Sequence, residues 1–170
     1  LARRLGPMLG LKVQVVKIAA GERVLLDPMR VFDGPERVRF AIGFLTTLTG
    51  FTPTSHEGSL IDDAVRVAGS AHHVAAHDRI RLDTVIEELE RQSHTDLARR
   101  IRVIARSELA SLAFGEGTAV DLDADVIVFH IPQLVLPGRA QQANAHLASQ
   151  MLPEHYASLG VMYLVAAMVR

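Results

Sequence analysis

The sequence contains no cysteine and no tryptophan, and its only lysines are Lys12 and Lys17. Without cysteine there can be no disulfide framework, no thiolate zinc site and no cysteine nucleophile, a composition that suits a reducing cytosol. Charge of either sign is not in excess: 18 basic and 19 acidic residues leave a formal net charge of −1 and a pI near 6.8. No global field therefore draws the chain to nucleic acid or to an anionic membrane. A secretory leader is not expected, because Ala2-Arg3-Arg4-Leu5 gives way at once to Gly6-Pro7 with neither a longer apolar run nor a small-residue cleavage site. The most apolar stretch, Leu159 to Val169, is interrupted by Gly160 and falls short of the about 20 residues that cross a bilayer. It reads as a buried helix. No internal repeat and no low-complexity linker divides the chain.

What is present is enough for a core. With 170 residues and 49% hydrophobic content, one domain can bury roughly 70% of its unfolded surface. Lys12 to Ile18 alternates polar side chains with β-branched valines and predicts a strand. Ala20-Gly21-Glu22 supplies a turn, and Arg23 to Leu26 reads as a second short strand stopped by Asp27-Pro28, since proline cannot donate to a ladder. Together they predict a hairpin. Asp33-Gly34-Pro35-Glu36 then opens helical territory, with Val38, Ala41, Ile42, Leu45 and Leu48 on one face and Gly50 at the end. Thr54-Ser55-His56-Glu57 has capping-box spacing ahead of Leu60, Ile61, Ala64, Val65 and Ala68. Leu82, Val85, Ile86 and Leu89 mark a third helix, and Leu97, Ile101, Ile104, Ala105 and Leu112 a fourth. Asp125 to Ile131 is nearly continuous in apolar residues up to Pro132, which predicts a central strand buried on both faces of a parallel or mixed sheet. Two helices follow, Arg139 to Gln150 and Pro153 to Val169. Strands at both ends with helices between predict an α/β fold, helix-rich, with an all-α insertion: a hairpin region over 1–32, the insertion over 33–113, and a core strand with two helices over 114–170.

Candidate chemistry is sparse. A phosphate loop needs spaced glycines followed by Lys and then Ser or Thr, and the chain has no Gly-Lys pair. An apolar strand ending in acids could hold Mg²⁺; Val24-Leu25-Leu26-Asp27 comes closest, but Pro28 stands where the second acid belongs, and a helix-start turn is the plainer reading. Within His72 to Asp78, His73 and His77 have the i, i+4 spacing of helical zinc ligands. Glu does not follow the first histidine, and a surface cluster at a helix end explains the same residues; a metal site would need Asp78, His56 or His94 as a third ligand. Arg99, Arg102 and Arg106 form a basic stripe that could contact phosphate or a neighbouring subunit, or simply be solvated, since no aromatic residues interleave with it to stack bases. Ser107 and Ser111 lack the strand-to-helix elbow of a serine hydrolase. The residues alone thus leave open a non-enzymatic α/β interaction domain and a histidine-dependent metal protein.

Three stretches carry a resemblance. Leu5 to Phe32, with Asp27-Pro28; Phe114-Gly115-Glu116-Gly117-Thr118 with Asp121-Leu122; and Val126 to Leu134 together resemble the AAA-like, RecA-fold ATPases that drive conjugation and type IV secretion. In the third stretch His130 stands where that family commonly has an acid. The resemblance implies a partial RecA-like (P-loop NTPase) sheet, with the phosphate loop before Leu1 and the Mg²⁺-binding Walker B strand after Arg170, so that no catalytic residue falls on this chain. It implies ATP and Mg²⁺ as cofactors of the full-length protein, with none held by these residues alone. It also implies a cytoplasmic protein, stationed at the inner face of the membrane when part of a machine. Other motor subunits would be its partners, nucleic acid would be met only through the full-length ring, and exposed sheet edges would drive self-association.

Overall fold

The computed structural model describes residues 8–19, 21–70, 80–138, 141 and 150–169. Within them the chain is helix-rich around two small parallel strand pairs. Strand β1 (Val13–Lys17) lies parallel to β4 (Val126–His130), with Val13 opposite Val126 and Lys17 opposite His130. Strand β2 (Val24–Leu25) lies parallel to β3 (Thr118–Ala119). The expected hairpin is therefore corrected: β1 and β2 do not pair with each other. The turn after β1 is closed by one bond from the Glu22 amide to the Ala19 carbonyl. Beyond it the backbone groups are taken by distant residues: the Arg23 carbonyl accepts from the Thr118 amide at 2.8 Å and the Leu26 amide donates to the Leu112 carbonyl at 3.1 Å. Parallel pairing of this kind demands long crossovers, and helices fill them.

Between β2 and β3 lie α1 (Pro28–Val31), α2 (Gly34–Thr49), α3 (His56–Ser70), α4 (Leu82–Arg91), α5 (Thr95–Ala105) and α6 (Ser111–Phe114), and α7 (Pro153–Met168) follows β4. The apolar stripes read from the sequence face one core, which includes Ala41, Leu45, Leu48, Ile61, Val65, Leu82, Leu89 and Ile101. Two local details differ. Ser55, not Thr54, caps α3, its Oγ accepting the Gly58 amide at 3.0 Å; the third helical residue is then glycine, which has no side chain to reciprocate. Leu112 belongs to the separate α6, because α5 stops at Ala105. The predicted helix over 139–150 lies outside the described residues except at 141 and 150.

The strand β4 is not buried on both faces. Ile127 and Phe129 pack against the core, whereas Val126 and Val128 are 37% and 36% exposed. A parallel strand is covered twice only where helices lie on both sides of the sheet, and here the described helices cover one.

Helices α2 and α7 meet through reciprocal notches. A Cβ on Gly160 of α7 would lie 2.9 Å from the Phe44 ring of α2, and a Cβ on Gly43 of α2 would overlap the Tyr163 hydroxyl of α7. Each helix thus gives a glycine to the other's aromatic ring, and the axes approach closely enough to bury Phe44, Leu48, Val161 and Leu164 completely. Arg100 of α5 ties the end of α2 to this unit: its guanidinium donates to the Thr49 carbonyl at 2.8 Å and lies 4.5 Å over the Phe51 ring.

Candidate functional site

The most constrained polar position is Asp27, at the junction of β2 and α1. It is 1% exposed. One carboxylate oxygen accepts the Met29 amide at 2.8 Å and the other accepts the Leu82 amide at 3.1 Å, so a single side chain caps both α1 and α4. The residue in the cap position of α4, Arg81, makes no side-chain cap bond of its own. Burial pushes Asp27 up to about 7, against the pull of the two amides and of nearby Arg30 and Arg81. Both arginines reach Glu116, Arg30 at 3.0 Å and Arg81 at 2.6 Å, and the bond from Arg30 holds Glu116 below the usual carboxylate range. Gly117 lets the Glu116 turn reach β2, since a Cβ there would stand 2.6 Å from the Val24 carbonyl carbon.

This arrangement joins three segments and is poorly suited to bind Mg²⁺. Both Asp27 oxygens serve backbone amides, and among the described residues no group of three or more histidine, aspartate or glutamate side chains could hold a metal ion. Asp27-Pro28 is the helix start that the plainer reading expected. His72, His73, His77 and Asp78 lie outside the described residues. His56 opens α3 and His94 precedes α5.

The arginine stripe is divided. Arg102 forms a two-pronged pair with Glu90 of α4. Arg99 is directed to solvent, 77% exposed, with Asp96 3.8 Å away. Arg106 caps α5 and lines a cavity of about 600 Å³ with Ser107, Gln133, Glu154 and Ser158. A second cleft, about 560 Å³, is floored by Val31, Phe32, Ile127, Phe129 and Met168 and edged by Asp33, Glu36, Asp123 and Asp125.

The family profile described as the AAA-like domain matches residues 2–170. The chain belongs to this family. No curated protein and no solved structure matches it. An AAA-like domain bespeaks part of an ATPase, and the described residues of this one contribute parallel strands and helices. Among them no helix is long and apolar enough to cross a membrane. Sequence reasoning missed Arg30, Arg81 and Arg100, whose partners are remote in the chain. The one signal pointing to the junction was Asp27-Pro28, a cap residue followed by proline.

Proposed function

We propose that this AAA-like domain is an internal part of a RecA-like motor ATPase that couples ATP hydrolysis to DNA or protein transfer, as in conjugation or type IV secretion. The chain itself would supply core and subunit interface. The observation that carries the reading is an AAA-like match over residues 2–170 in a sequence without any Gly-Lys pair. Residues outside this stretch must then provide the phosphate loop. The three resembling stretches support the transfer-motor assignment, and the parallel register of β1 with β4 suits a RecA-like sheet, in which parallel strands are linked by helical crossovers.

The full-length gene product is expected to hydrolyse ATP and to lose that activity when the lysine of a Gly-x-x-x-x-Gly-Lys-Ser/Thr motif, encoded about 30 to 60 residues before Leu1, is changed to alanine. The 170-residue chain should bind no ATP in calorimetry. A gene lacking both that motif and an apolar strand ending Asp-Glu after Arg170 would end the proposal.

Strand β4 supports a second part of the reading. Its partner among the described residues is β1 alone, so its other edge is open to a further strand, and the exposed Val126 and Val128 set an uncovered apolar face beside that edge. Taken alone, the chain should self-associate through that edge. Light scattering should record a mass that rises with concentration and persists in high salt, and Val128→Lys should suppress that salt-resistant association. A wild-type chain that stays monomeric in high salt would sink the expectation.

A further inference from the structure

Ser107 follows the last turn of α5 with both of its backbone groups bonded: its amide donates to the Ile104 carbonyl and its carbonyl accepts the Ser111 amide, each at 2.9 Å. Its hydroxyl is different. The Oγ is enclosed and, alone among the buried side-chain nitrogens and oxygens of the described residues, has no hydrogen-bond partner. Other hydroxyls on these helices turn back onto their own backbone, Thr46 to the Ile42 carbonyl, Thr49 to that of Leu45, Ser70 to that of Arg66 and Ser111 to that of Glu108. Ser107 instead lines the cavity of about 600 Å³ between the end of α5, the stretch after β4 and the first turns of α7. Ser158 lines the same cavity and is wholly buried. Its Oγ accepts the Val135 amide at 3.0 Å, a bond that does not spend its proton. A buried hydroxyl left unbonded costs stability, and native structures leave few. One water needs only a fraction of this volume, whereas cavities of this size hold small molecules.

The rest of the wall limits what fits. Leu109 and Ala157 contribute buried apolar surface, which favours an apolar occupant over water. Around them stand three exposed charged side chains, Arg106, Glu108 and Glu154, none of them in an ion pair among the described residues. One guanidinium against two carboxylates disfavours a polyanion such as a nucleotide's phosphates, and a simple cation would leave Arg106 unanswered. A ligand with one charge of each sign answers both. The two serines add a donor and an acceptor, the complement of the C=O and N–H of a peptide bond. The geometry points to a site for a short zwitterionic peptide with apolar side chains. Its carboxylate would meet Arg106 in a charge-assisted bond and its ammonium Glu108 and Glu154. An internal peptide group would bond Ser107 and Ser158, and the side chains would cover Leu109 and Ala157. A single amino acid brings the two charges but no peptide group. The site stands apart from the ATP chemistry proposed above, whose phosphates are held by residues outside this chain.

The test uses the chain carrying Val128→Lys, which blocks the β4 edge and lies outside the cavity wall, with leucyl-leucine as the probe. Amide chemical shifts in NMR spectra should move saturably at Ser107, Val135 and Ser158, with a Kd on the order of 0.3 mM. The N-acetylated and the C-amidated dipeptides should each bind at least about tenfold more weakly. Arg106→Gln, at an exposed position, should weaken the unmodified dipeptide about five- to tenfold and leave the binding of the amidated one unchanged. Ser107→Ala should weaken binding about fivefold and yet raise the melting temperature of the unliganded chain by about 2 to 4 °C, because it removes an unbonded hydroxyl. A serine bonded within the fold would lower that temperature instead. Absence of saturable shifts, which leaves a cavity holding water alone, would overturn the inference. So would equal binding of the blocked dipeptides, an unchanged Kd in Ser107→Ala, or inorganic phosphate binding at the same amides as tightly as the dipeptide.

Discussion

Replacing Asp27 with asparagine is expected to abolish a fall in stability that the wild-type chain undergoes between about pH 4 and pH 7. In the unfolded chain an aspartate releases its proton near 3.9, while burial holds the folded Asp27 protonated up to about 7. Below that window both states are protonated and the group contributes nothing to the slope. Within it the folded state binds more protons, so stability decreases as pH rises, and above about 7 the loss is complete. Three pH units correspond to about 4 kcal/mol at 1.36 kcal/mol per unit. Glu88, Glu116 and Asp121, held low chiefly by bonds from Arg91, Arg30 and Lys12, act in the opposite sense, but in the acid region below their unfolded values. Asparagine keeps one acceptor oxygen and presents an amide to the second cap. It should therefore be less stable than wild type at about pH 3.5, where the wild-type loss has barely begun, by about 1 to 2 kcal/mol for the unmade bond, and more stable at pH 8. Urea unfolding at the two pH values measures the crossing. Parallel stability curves for the two proteins would show that Asp27 does not titrate in this window.

Phe44→Ala is expected to cost about 4 kcal/mol, the range for deleting a buried aromatic ring, and to lower the melting temperature by roughly 10 °C for a domain of this size. Phe44 has no exposed surface, fills the notch opposite Gly160 and lies 6.2 Å from the Phe114 ring. The same contact predicts the effect of filling the notch from the other side. Gly160→Ala gains helix propensity of about 1 kcal/mol but forces its methyl onto the ring, an overpacking cost of about 1 to 3 kcal/mol. In a Phe44→Leu background that cost should shrink, giving a favourable coupling of about 1 kcal/mol. Additive effects in thermal denaturation would place the ring and the glycine out of contact.

Those two predictions also mark what the sequence made legible. The faces of α2, α3, α4 and α5 were readable because a helix writes its burial into near neighbours, as Leu45 and Leu48 or Val85, Ile86 and Leu89 do. Asp27-Pro28 was readable as a helix start for the same reason. What could not be read was the identity of distant partners. Nothing local in Lys12 to Leu26 distinguishes a hairpin from two strands that each await a partner near residue 120. The unbroken apolar run of β4 suggested two covered faces, but burial depends on whether a second layer arrives, and periodicity carries no information about layers. At the candidate site the stripe of Arg99, Arg102 and Arg106 looked like one surface. Glu90 on a neighbouring helix draws Arg102 away, and no spacing rule anticipates that.

The parallel pairing of β1 with β4 also sets an order in time. The Lys12 amide reaches the Asp125 carboxylate across 113 positions, so on a ribosome adding about 5 to 20 residues per second the first strand waits roughly 6 to 20 s for its partner to be made. The helices from α2 to α6 are built from nearby residues and can collapse during that interval. Until β4 emerges, the valines of β1 remain a ready template for any other nascent copy on the same message, and the yield of correctly folded chain should depend on how quickly residues 118 to 130 follow.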